Sequence, residues 1–383
     1  EKKKMKYGGI QIYSVTPTQT PDKKEDKVSN SINPTLKPKP DRDTPALSLS
    51  EHGKRQNTSA IFDLKWCPFP VGSHNHVLLA QATEDGYLGI YRMKSKTSAP
   101  ALTPERRSGK IQAETESNVE TESNGETETE SKTEGETESG SPLELLTNQE
   151  VVKGGKPCLS LDWSGSPNSY KVMVSQGDAH VSIWSLDVGR GQVSETARWL
   201  AHEIDEVWIC AFDLKSNHVV YTGGDDCTLK TWDTRSTKKP NVTCGVHDAG
   251  VTVISPCPTR ENVIATGSYD EKIRLFDSRN MYRPMHVYES GGGGIWRIRW
   301  QPEHSGVKGP DRILAACMRA GFQVVALDEN NLKMGLVAQY KDHTAPGVTP
   351  LAYGCDWGKM DRNLIASCSF YDKQLHLWHS LTV

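Results

Sequence analysis

Five times along this chain of 383 residues an aspartate stands six positions before an aromatic residue: Asp85 before Tyr91, Asp178 before Trp184, Asp226 before Trp232, Asp270 before Phe276 and Asp372 before Trp378. Each aspartate lies in a short polar turn and each aromatic ends a run of alternating polarity, so the spacing reads as a hairpin turn followed by one strand. A second element recurs ahead of each turn. It reads Phe62-Asp63-Leu64-Lys65-Trp66, Leu159-Ser160-Leu161-Asp162-Trp163, Trp208-Ile209-Cys210-Ala211-Phe212, Ile295-Trp296-Arg297-Ile298-Arg299-Trp300 and Tyr353-Gly354-Cys355-Asp356-Trp357. A unit of this size cannot bury its apolar face alone. It must pack on the next copy, which restricts the chain to an array of small sheets.

The turn-and-strand half is sharpest in Thr222-Gly223-Gly224-Asp225-Asp226-Cys227-Thr228-Leu229-Lys230-Thr231-Trp232-Asp233 and in its next copy, Thr266 to Asp277. These offsets resemble the WD repeat, in which each unit is one blade of a propeller. Near-complete units span 62–91, 159–184, 208–233, 251–277, 295–326 and 353–378. Gly8-Gly9-Ile10-Gln11-Ile12-Tyr13-Ser14 looks like the third strand of an earlier, shortened unit. The expectation is an all-β chain: a seven-bladed WD-repeat β-propeller with its first blade partly missing at the N-terminus. Such repeats tie their strands together with a His, Ser, Asp and Trp network. His202, Asp226 and Trp232 fill three of these places, with Gly224 at the serine position. His247, Ser268 and Asp270 fill the next set, with Phe276 in place of Trp.

Two stretches interrupt the pattern. Only 36% of the chain is hydrophobic and its mean hydropathy is −0.58, too polar for one compact domain. The excess lies in residues 16–50 and in 95–142, where ten Glu and one Lys fall between Ile111 and Gly140. Such segments cannot offset their ordering entropy by burial and are expected to be disordered insertions. That leaves 1–15 as the strand of the shortened blade, 51–94 as a blade and 143–383 as the remaining blades. A net charge of −3 offers no basic field to nucleic acid. No apolar run reaches about 18 residues, so no membrane span is expected. Nine cysteines with no Cys-x-x-Cys pair suit a reducing compartment, hence the cytoplasm.

General hydrolase motifs do not appear. There is no Gly-x-Ser-x-Gly elbow, and His202-Glu203-Ile204-Asp205-Glu206 carries Glu206 where a zinc protease needs a second His. No metal and no cofactor is expected. Composition and spacing alone stop at a WD propeller that acts as a binding platform.

Several stretches resemble the diphthine methyl ester hydrolase family of diphthamide biosynthesis. They are Ala201-His202 through Trp208, Tyr221 through Asp226, Ala265 through Glu271, Gly293 through Trp300 and Leu314-Ala315-Ala316-Cys317-Met318. The most specific is Cys368-Ser369-Phe370-Tyr371-Asp372 followed by Leu375-His376-Leu377-Trp378, whose turn holds one residue more than an ordinary repeat. The resemblance covers roughly residues 60–92 and 150–378. It implies a carboxylic ester hydrolase that acts on translation elongation factor 2, turning the methyl ester of methylated diphthine into diphthine and releasing methanol. The alternative is a non-catalytic WD scaffold for protein partners.

Ester hydrolysis needs a nucleophile, a base and donors for the oxyanion. In a propeller the loops into the first strands and the acidic turns share one rim. That rim gathers His202, Glu206 and Asp225 as catalytic candidates, and Trp208, Tyr269, Trp296, Arg319 and Tyr371 as substrate-binding ones. Aromatic faces suit the intermediate's trimethylammonium group. Water assisted by His202 is the expected nucleophile. Cys317 and Ser369 are alternatives, both in second strands where packing residues are the rule.

Overall fold

The computed structural model describes residues 7–17, 47–71, 76–94, 141–164, 170–203, 206–303, 311–344, 351–359, 361–369 and 371–380. All regular elements among them are β-strands. Six sheets follow one another in chain order. Blade one comprises Ile61–Trp66, Leu78–Thr83, Tyr87–Met93 and Leu143–Glu150. Blade two comprises Cys158–Trp163, Lys171–Gln176, His180–Asp187 and Gln192–Leu200. Blade three comprises Ile209–Phe212, Val219–Gly223, Leu229–Asp233 and Val242–Cys244, and blade four Val251–Pro256, Val263–Ser268, Lys272–Asp277 and His286–Glu289. Blade five comprises Arg297–Trp300, Arg312–Ala316, Phe322–Leu327 and Met334–Tyr340. Blade six has three described strands, Gly354–Trp357, Leu364–Cys368 and Leu375–His379. Every pairing within them is antiparallel. The β-propeller expectation holds.

The expected unit boundaries shift in one respect. Leu143–Glu150 pairs with Tyr87–Met93, so the acidic insertion separates the third and fourth strands of one blade. Residues 95–140 of that insertion, and 18–46 of the earlier one, lie outside the described residues. Tyr7–Pro17 pairs with Leu47–Ser59 as a separate two-stranded sheet, so residues 16–17 and 47–50 are strand.

Apolar residues of neighbouring blades interdigitate. One core joins blades one and two through Leu88, Ile90, Leu161 and Val174. Others join two and three through Met173 and Phe212, three and four through Ile209 and Ile264, four and five through Leu275 and Ile298, and five and six through Phe322 and Ile365. Indoles reinforce these seams: Trp163 donates to Lys65 O, Trp300 to Ser255 O and Trp357 to Arg299 O, each at 3.0 Å. The matching Trp66 of blade one remains 38% exposed, beside Phe62 at 39% and Leu64 at 37%. Buried Asp63 of blade one meets Arg297 of blade five at 3.4 Å.

The repeating turns share one backbone device. Asp178, Asp226, Asp270 and Asp372 each accept a hydrogen bond from the amide two residues on. The residue after each turn aspartate takes positive φ: Gly86, Ala179, Cys227, Glu271 and Lys373. The side chain replaces a backbone partner and tightens the hairpin.

Candidate functional site

Each first strand begins where the turns gather. Val207 N bonds Gln176 O, Val251 N bonds Gly224 O, Ile295 N bonds Ser268 O and Ala352 N bonds Met318 O, at 2.9–3.2 Å. The start of each of these strands is thereby fastened to the turn of the blade before it. The next residue in three of these strands is aromatic: Trp208, Trp296 and Tyr353.

These rings meet. Trp296 lies 5.9 Å from Trp208, 6.0 Å from Tyr269 and 5.6 Å from Tyr353, all tilted steeply to it. Tyr371 joins through Tyr353 at 6.3 Å. Trp208 donates its indole proton to Asp225 Oδ1 at 3.2 Å, and the Asp225 amide bonds Glu206 O at 3.1 Å. Gly250 makes room for this carboxylate, since a Cβ there would lie 2.9 Å from Asp225 Oδ1. Burial and the Asp225 charge both push the Tyr269 hydroxyl up. A carboxylate thus edges a five-ring cluster. Tyr353 was not among the expected residues, although it holds the same place before its strand as Trp208 and Trp296.

His202 lies behind this rim. It is fully buried, with Nδ1 2.8 Å from Asp226 Oδ2 and Nε2 3.0 Å from Thr222 Oγ1. Trp232 donates to the same hydroxyl at 3.0 Å. An ionised carboxylate only accepts, so His202 donates from Nδ1 to Asp226. Burial opposes ionisation of Asp226, yet hydrogen bonds from His202 and Thr228 hold its carboxyl well below the usual range. Both ring nitrogens of His202 are engaged in holding strands. The network hydroxyl is Thr222, not a residue at Gly224, and in blade four it is Thr266, 3.0 Å from His247 Nε2. Ser268 bonds Ala249 O and the Asp270 amide instead.

Blade six carries the complete network, which the sequence reading missed. His343 bonds Asp372 at 2.7 Å and Ser367 at 2.9 Å, and Trp378 donates to Ser367 at 3.1 Å. His343, Asp372 and His376 place potential ligand atoms within 4.8 Å of one another. His376, however, bonds Tyr340 and Gln374, at 2.9 and 2.7 Å, so both imidazoles are already committed and the trio reads as structural.

The remaining candidates divide. Arg319 is exposed on the blade-five turn, and its amide adjoins Gly293. Cys317 is fully buried, and burial pushes its thiol far up, which leaves no thiolate to attack an ester. Ser369 is buried as well, and its hydroxyl has no hydrogen-bond partner among the described residues. A pocket of about 190 Å³ opens at the other end of the strands, lined by Leu214, Lys215, Cys257 and Arg260 among others. Its charges neutralise one another, Lys215 with Glu261 at 3.0 Å and Arg260 with Asp311.

Stacked four-stranded blades with this turn network define a WD-repeat propeller, here with an aromatic, acid-edged rim. The family model of the WD domain, G-beta repeat, matches residues 194–233 and 238–277. Among curated proteins the chain is 35% identical to the diphthine methyltransferase homolog of Dictyostelium discoideum, over 62% of this chain and 66% of that one. It is 30% identical to mouse diphthine methyltransferase, over 81% of this chain and 57% of that one. It is 31% identical to the Schizosaccharomyces pombe protein of the same name, over 62% and 69%. The chain belongs to this diphthine methyltransferase family. It spans 57% of the mouse protein and 66% of the Dictyostelium one, less than two thirds of either. Among the described residues no helix is long and apolar enough to cross a membrane.

Proposed function

We propose that this chain hydrolyses the methyl ester of methylated diphthine on translation elongation factor 2, in the cytoplasm, as a step of diphthamide biosynthesis. The observation that carries the reading is the ring cluster with a carboxylate hydrogen-bonded to its edge. A trimethylammonium group is a soft cation with an apolar surface, and several ring faces within one rim suit it. Trp208, Tyr269, Trp296 and Tyr371 hold the cation, with Arg319 contacting the substrate from its exposed turn. Asp225 accepts the proton of an attacking water, with Glu206 adding negative potential beside it. The water oxygen adds to the ester carbonyl carbon, the methoxide leaves with a proton as methanol, and the carboxylate remains. His202 acts at one remove, by holding Asp226 and with it the turn that carries Asp225.

The relatives' name denotes transfer of a methyl group on diphthine. Hydrolysis moves a methyl group on the same modified residue, in the direction of removal. A desolvated cation–π contact contributes about 2 kcal/mol, so Trp296→Ala should weaken the trimethylated substrate roughly thirtyfold. A ligand without the N-methyl groups should respond little. Equal weakening of both would make Trp296 a packing residue and remove the cage.

We propose as well that the ring closes as seven blades, with the Tyr7–Pro17 and Leu47–Ser59 sheet belonging to the seventh. The uncovered Phe62, Leu64 and Trp66 support this, because the equivalent face of each later blade is packed against its predecessor.

A further inference from the structure

The Tyr353 ring lies 6.3 Å from that of Tyr371, tilted by 32°. The backbone holds Tyr353 from both sides. Ala352 is tied to the blade-five turn through Met318 O at 2.9 Å. Gly354 pairs with Cys368 so closely that a Cβ on it would stand 2.5 Å from the sulfur. The Tyr353 ring meets Trp296 at a right angle. Two phenol rings therefore border the cluster from blade six, while Asp225 borders it from blade three.

We propose that Tyr353, supported by Tyr371, is an anion subsite: it donates a hydrogen bond to the carboxyl oxygen that neighbours the ligand's quaternary ammonium. The proposal rests on the cage reading above and adds the orientation of the ligand within it. A carboxyl group on the carbon next to the ammonium must lie at the edge of any cage that holds the cation. Of the two edges, Asp225 repels an anion and the phenol pair attracts one. Burial and the neighbouring Tyr371 push the Tyr353 hydroxyl up to about 12, so at neutral pH it carries its proton. On binding, Tyr353 donates through that proton to the ligand oxygen. Tyr353 is then a carboxylate clamp for the product of the proposed hydrolysis.

Calorimetric titration of the whole chain with two small probes separates the parts. Glycine betaine carries a trimethylammonium beside a carboxylate, and tetramethylammonium carries the cation alone. The unmodified chain should bind betaine about tenfold more tightly, the effect of one hydrogen bond to a charged group. Tyr353→Phe keeps the ring and should cut that preference to about twofold or less, leaving tetramethylammonium unchanged. Trp296→Phe should weaken both probes and preserve their ratio. An undiminished betaine preference in Tyr353→Phe, or equal weakening of both probes, overturns the subsite and leaves the cage standing. A parent chain that binds tetramethylammonium without preferring betaine does the same. A parent chain that binds neither probe overturns the cage and the subsite together.

Discussion

The indole nitrogen of Trp208 donates to Oδ1 of Asp225 at 3.2 Å, fixing a carboxylate at the mouth of an aromatic cluster. The next residue, Asp226, turns the other way and takes its hydrogen bond from buried His202. Adjacent aspartates thus divide surface chemistry from internal support. Asp225→Asn should lower turnover by about 10²–10⁴-fold, the usual contribution of a general base, and leave melting unchanged. His202→Ala should cost about 1–3 kcal/mol of stability by breaking a buried network, while the folded fraction loses far less turnover than Asp225→Asn. Kinetics and urea unfolding of both variants check this. Parental activity in Asp225→Asn would remove it as the base.

His247 gives blade four a pH dependence. Its Nδ1 is buried and has no hydrogen-bond partner among the described residues, and burial together with the nearby Arg274 charge lowers its pKa to about 4 from 6.5. Between those values the unfolded chain binds a proton that the folded chain refuses. Stability is therefore intact above about pH 6.5 and falls as the pH drops towards 4, by at most about 3 kcal/mol. His247→Gln should flatten this part of the stability profile measured by denaturant titration. An unchanged slope would assign the loss to other groups.

The turns yield a third expectation. Gly86 has φ of 89°, and a Cβ there would meet Lys156 O at 2.6 Å and Val152 O at 2.8 Å. Gly86→Ala should cost about 2 kcal/mol. Cys227 holds the matching left-handed conformation at φ 61° without being glycine. Cys227→Gly relieves that strain but adds chain entropy, for a net gain of about 0.5 kcal/mol. Thermal unfolding compares the pair, and a stable Gly86→Ala protein would contradict the shared turn geometry.

These turns were the most legible part of the chain, because an aspartate and an aromatic six residues apart record a local hydrogen bond and one strand. Trp208 and Trp296 could be placed on the rim for a similar reason, their short offset from a first strand, although Tyr353 at the same offset was missed. His343 was not legible, since it stands 29 residues ahead of Asp372, against 24 from His202 to Asp226, and that departure blurs the repeat. The network hydroxyls were misplaced by two residues. Alternation along the second strand turns Thr222 and Thr266 towards their histidines, while Gly224 and Ser268 already belong to the turn. Burial of His202 depends on packing between blades, which no local spacing encodes.

The uncovered face of blade one supplies a fourth test. If the N-terminal sheet closes the ring there, removing residues 1–59 should speed amide hydrogen exchange in Ile61–Trp66 and leave Leu229–Asp233 protected. Equal protection of Ile61–Trp66 with and without the segment would place the closing partner elsewhere.

The most direct measurement of the proposed function is methanol release. The chain is incubated with elongation factor 2 bearing methylated diphthine, and methanol and the mass of the modified peptide are followed together. Hydrolysis should give one methanol for each modified histidine and a peptide lighter by one methylene, and Asp225→Asn should lose both signals. A peptide that keeps its mass, or one that gains a methyl group when a methyl donor is supplied, would contradict it.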